Sequence, residues 1–158
     1  MNKYSGLLAE FKLVKTEVKN LICRFPAENR EEFLFDKWSL KDVVAHLNHW
    51  MVHDIKCLED LKNGKKSYWE PDVDDYNKKG VEARKDMSWE ELYEEFDDLQ
   101  KRLILLYENI PEKLYEVDIF DDHKENTFTF LRGDIEHWKY EHVPALEKVL
   151  EEIKNEAV

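Results

Sequence analysis

The sequence predicts an all-α protein: a four-helix bundle with a long crossover, itself carrying a short helix, between the second and third long helices. Three observations lead there. Apolar residues recur three and four positions apart over four stretches, each several helical turns long. Two of these stretches open on capping signatures, Ser39 with Asp42 and Ser88-Trp89-Glu90-Glu91. Glycine and proline number four each in 158 residues, too few for a turn-rich β architecture.

In the first helix Leu7, Phe11, Val14, Val18, Leu21 and Phe25 make one stripe, and Pro26 ends it. Residues 27–37 form a connector whose Phe33, Leu34 and Phe35 are expected to lie back on the core. The second helix opens at Ser39, with Asp42 adding first-turn negative charge. Its stripe is Leu40, Val43, Val44, Leu47, Trp50, Met51, Leu58 and Leu61, and Asn63-Gly64 stops it. A tyrosine- and aspartate-rich crossing holding Pro71 follows, then a short helix over about 74–85. The third long helix begins at the capping box on Ser88, presents Leu92, Phe96, Leu99, Leu103, Leu106 and Ile110, and closes at Pro111. Residues 115–126 are irregular and acidic. The fourth helix starts near Thr127 and aligns Leu131, Ile135, Trp138, His142, Ala145, Leu146, Val149 and Ile153. With no repeat, low-complexity tract or linker, residues 1–158 read as one domain. The connection over 64–88 is longer than a helical hairpin needs and is expected to cover a pocket at one end of the bundle.

The net charge of −12 carries no Lys/Arg block, which argues against nucleic acid and anionic membrane surfaces as partners. Cys23 and Cys57 form no CxxC pattern and fall among apolar helical neighbours, so both are expected to be buried free thiols. Neither a signal-like N-terminal run nor the ~20 apolar residues of a membrane span is present, which predicts a cytoplasmic protein. There is no glycine-rich phosphate loop and no readable Ser-His-Asp or Cys-His pairing.

Five of the six histidines fall on the second and fourth helices. His46 lies roughly 100° from the centre of its stripe, at the border of the apolar face. His49 lies roughly 160° away and is expected to face water, so His49 and His53, four apart, read as an adventitious surface chelate. His46 and His53 are about 10 Å apart along the axis, too far for one coordination sphere. His142 occupies the middle of the fourth stripe, where an imidazole is costly unless it is bonded or ligated. His137 sits roughly 140° off that centre, with Glu141 and Asp134 at the edge. Pro144 removes a backbone donor and predicts a kink beside Tyr140.

These residues carry a resemblance. Trp38-Ser-Leu-Lys-Asp-Val-Val-Ala-His46-Leu with Trp50 resembles the second-helix signature of the DinB/YfiT-like bundle superfamily, most of all its ClbS/DfsB and maleylpyruvate-isomerase-like branch. Val73-Asp-Asp-Tyr-Asn77, Ser88-Trp-Glu-Glu91 and Glu141-His142 with Leu146 are similar to further parts of the pattern, over roughly residues 36–153.

The resemblance implies a divalent metal held by one histidine of helix two and two histidines four apart on helix four. It places His46 and His142 among the ligands, but the middle position falls on Trp138, with His137 one residue out of register. Two outcomes are open. Either Trp138 fills the missing ligand's place, leaving His46 and His142 to bind zinc or nickel with a carboxylate from Glu141 or Asp134, or to bind no metal. Or a π-bulge promoted by Pro144 turns His137 inward. Trp38, Trp50, Tyr76 and Asn77, with Trp138, are expected to line a pocket for a small-molecule ligand. The implied function is a metal-assisted transferase or hydrolase acting on a small electrophile. The alternatives are a metal-free binding or protective module and a structural bundle that forms a homodimer.

Overall fold

The computed structural model describes residues 2–157 and is all-helical. Among those residues the extended pairings are two isolated bridges, Phe35 with Trp38 and Ser67 with Phe120. Helices α1 (Lys3–Cys23), α2 (Leu40–Lys62), α3 (Val73–Ala83) and α4 (Trp89–Glu108) come first. Helix α5 (Thr127–His137) then runs through a π-helical turn (Trp138–His142) into α6 (Val143–Glu156). The chain gathers into two compact units: residues up to Lys41 with those from Leu131 onward, and residues 42–130. No described helix is long and apolar enough to cross a membrane.

In the first unit, Asn2 caps α1 by accepting from the Ser5 N–H, and Leu7, Phe11, Val14, Val18 and Leu21 are all buried. Fully burying each such side chain is worth about 1.5–3 kcal/mol, so this stripe and not helix propensity holds α1 in place. Helix α1 packs along α6 and the π turn. Lys15, 1% exposed, sets its ammonium 3.1 Å above the ring of Trp138, itself 3% exposed. Away from water such a cation–π contact is worth about 2 kcal/mol.

Two expectations fail in this unit. Phe33 is 72% exposed instead of lying on the core, and Leu34 and Phe35 are only half-buried. Consecutive residues outside a helix point in alternating directions, so the three cannot all meet one surface. Phe35 instead closes a tight turn with Trp38, exchanging both backbone bonds (3.0 and 3.1 Å) around Asp36 at φ 61°. Cys23 is exposed, because it follows Leu21 and Ile22, which take the buried side of the last turn; Cys57 is buried as expected.

In the second unit α2 ends where Gly64 adopts φ 72°. The Gly64 N–H reaches the Leu61 carbonyl (3.1 Å) and the Lys65 N–H reaches that of Asp60 (2.8 Å), the paired bonds of a glycine-terminated helix. The capping box of α4 is complete: Ser88 Oγ accepts from the Glu91 N–H (3.1 Å) and Glu91 Oε2 from the Ser88 N–H (2.9 Å). Leu92, Phe96, Leu99, Leu103 and Ile110 are buried, with Leu106 at the edge.

The π turn is the local event that matters most. The Val143 N–H donates to the Trp138 carbonyl five residues back, not four. Pro144 offers no N–H, and in regular α-helix its ring would press on the carbonyl of Tyr140. The widened turn immediately before it absorbs one residue, so the helix continues into α6 in a new register.

Candidate metal centre

His137 and His142 stand at the two ends of that turn. Because the turn is wider than α-helix, residues five apart face the same way, and their Nε2 atoms come within 2.8 Å. Of the two arrangements left open, the structure has the one in which a π turn brings His137 round to His142. His137 is half-buried beside His142, and Trp138 belongs to the core beside Lys15. The α-helical wheel failed here because it assumed 3.6 residues per turn throughout.

Within the first unit His137 and His142 thus set two imidazole nitrogens side by side, donors of the kind a divalent metal takes. The chemistry of the donors fits. His137 Nδ1 is 2.5 Å from Glu141 Oε2, and a carboxylate only accepts, so that nitrogen carries the proton and Nε2 keeps its lone pair. A histidine ligand whose other nitrogen donates to a carboxylate is the usual arrangement at a metal. Glu141 thus orients the ring of His137 and leaves its Nε2 directed at His142.

His46 is 4% exposed, deeper than its border position on the wheel suggests. Its Nδ1 lies 3.0 Å from Asn77 Oδ1, which also receives the indole N–H of Trp50 at 2.5 Å. Tyr76 packs beside them, its ring centroid 4.5 Å from that of Trp50, 4.1 Å from His49 and 5.7 Å from His53. Burial foremost, then the charge of Asp54, pushes the Tyr76 phenol up to about 12, so it stays protonated and donates to the His49 carbonyl (3.2 Å). The structure therefore brings Trp50, Tyr76 and Asn77 together. Trp38 belongs to the turn with Phe35, and Trp138 packs under Lys15.

His49 does not face water. Helix α3 covers it: a methyl on Gly80 would fall 2.5 Å from its ring, and Arg84 Nη1 donates to its Nδ1 at 3.1 Å. Arg84 Nε also meets Glu95 Oε1 (2.7 Å), which accepts from Asn48 Nδ2 (2.8 Å). The wheel cannot see this second layer, but Tyr76, Gly80 and Arg84 recur every four residues, and a mid-helix glycine signals close approach. The surface chelate expected of His49 and His53 is replaced by contacts to Tyr76 and Arg84.

A pH dependence follows. Burial first, then Arg84 and His53, lower the pKa of His49 from its ordinary 6.5, with Glu95 opposing. The unfolded chain then takes up this proton more readily than the native one, so the contribution is complete above 6.5 and is lost as pH falls toward the lowered native value. Denaturant unfolding from pH 8 to pH 5 is expected to show a smaller loss of stability in His49→Gln than in the wild type. An identical slope would exclude the lowered pKa of His49.

No family model, curated protein or solved structure matches the chain.

Proposed function

We propose that His46, His137 and His142 bind one divalent metal, zinc or nickel, and that the chain is a DinB/YfiT-like bundle acting on a small electrophilic molecule as a metal-assisted transferase or hydrolase. The observation that carries this reading is the pairing of His137 with His142, their Nε2 atoms 2.8 Å apart across the π turn; the resemblance adds His46 as the third ligand. Imidazole suits both ions, and three protein ligands leave a position for water or substrate. The spacing supports the resemblance in an altered form. Where that superfamily has two histidines four apart, this chain has them five apart around a π turn that restores their alignment.

Once bound, the metal would supply Lewis acidity or activate a coordinated water or thiol. The chain's own residues do the rest. Glu141 holds the proton of His137 on Nδ1, and Asn77 occupies the Nδ1 side of His46. Trp50 and Tyr76 supply apolar surface with few polar groups, the usual character of a small-molecule site.

A metal-free binding or protective module is the second reading. The 2.8 Å contact of His137 with His142 favours it, because one imidazole N–H donated to the other satisfies both nitrogens without an ion.

Elemental analysis of protein purified without a histidine tag separates the two. About one equivalent of zinc or nickel, lost in His46→Ala and His142→Ala, supports the first. Protein that carries no metal and takes none up on titration supports the second.

A further inference from the structure

Asn77 is the middle of a three-residue chain that runs from α2 to α3 and back. Its Oδ1 lies 2.5 Å from Trp50 Nε1 and 3.0 Å from His46 Nδ1. Which end of an amide faces a neighbour is decided by donor and acceptor chemistry. An indole N–H can only donate, so the amide atom it meets must be the oxygen. That oxygen has no proton to give, so His46 Nδ1 must supply the one between them. A neutral imidazole carries a single N–H, and its Nε2 is therefore left with a lone pair.

We infer that Trp50 is a positioning residue: acting through Asn77, it fixes His46 in the Nδ1–H form and makes Nε2 the nitrogen that His46 offers to a metal. The last step rests on the metal reading above; the tautomer itself does not. Trp50 does this from one turn away on the same helix, and α3 does no more than supply the amide. Without the indole N–H nothing holds the amide's orientation. Asn77 can then rotate to present its NH₂ to Nδ1, which would become the acceptor and move the proton to Nε2. His46 would then hold its proton on the nitrogen a metal needs.

The test is the tautomer of His46, read from long-range ¹H–¹⁵N correlations of histidine-labelled, metal-free protein near pH 8. Wild type is expected to show Nδ1 protonated and Nε2 bare. Trp50→Phe keeps an aromatic ring against Tyr76 but removes the donor, and it is expected to give the reversed or a mixed tautomer. Adding Asn77→Asp, whose carboxylate can only accept, is expected to restore Nδ1–H in the double variant. Should the Trp50→Phe chain not fold, Asn77→Leu removes the acceptor and serves the same purpose, with mixed tautomers expected.

Zinc titration gives the second readout. Trp50→Phe should bind zinc about 10–100-fold more weakly, as is usual when a ligand's hydrogen-bond partner is lost, and the double variant should recover. An unchanged Nδ1–H in Trp50→Phe or Asn77→Leu overturns the inference even if zinc binds. A tautomer that responds as described in a chain that takes up no zinc upholds the relay and removes the metal reading instead.

Discussion

His137→Ala is expected to weaken zinc binding by at least about 100-fold, because losing merely the hydrogen-bond partner of a ligand costs 10–100-fold. The side chain of His137 is 39% exposed, so its removal should change unfolding stability by no more than about 1 kcal/mol. The two readouts together identify a ligand and not a structural residue. The outcome also tests the π turn, since on a regular α-helix His137 would point about 140° from the apolar stripe and alanine there would change nothing. Isothermal titration of the untagged variant beside wild type is the measurement. Equal affinity in the two proteins would return His137 to the solvent-facing role that the helical wheel gave it.

Trp138→Ala is expected to have the largest effect on stability, about 3–5 kcal/mol, the usual cost of emptying a core aromatic site. The ring is buried and carries the ammonium of Lys15 on its face, so the substitution leaves a cavity and removes the closer of the two rings that Lys15 meets, Phe11 being the other. Guanidinium unfolding should show a lower midpoint with little change in slope, as for a change in stability without a change in the surface exposed on unfolding. A loss below about 1 kcal/mol would remove Trp138 from the core and reopen its part in lining a pocket.

Much of the helical architecture was legible because it rests on repeated, redundant signals. The stripe of α1, the Ser88 capping box and the Asn63-Gly64 stop each declare themselves through several residues, and all three stand in the structure. The short α3 was also visible, to within a residue or two at each end. The pairing of His137 with His142 was less so, for a physical reason. Which face His137 takes depends on a single change of hydrogen-bond register at Trp138–Val143, and apolar periodicity does not encode it. Pro144 was the available clue; it marked where the helix would depart from regularity without fixing how.

The burial of His49 was missed for a different reason. A wheel drawn on α2 alone cannot include α3, whose Tyr76, Gly80 and Arg84 convert an outward face into a covered one. Phe33 and Cys23 failed more simply: apolar residues beside a stripe need not share its burial.

The most direct test of the proposed three-histidine ligand set is X-ray absorption at the zinc edge of zinc-loaded, untagged protein. Three imidazole nitrogens are expected at about 2.0–2.1 Å, with one further light ligand completing the tetrahedron. Sulfur at about 2.3 Å, or a shell made up of oxygen with fewer than three imidazoles, would contradict it.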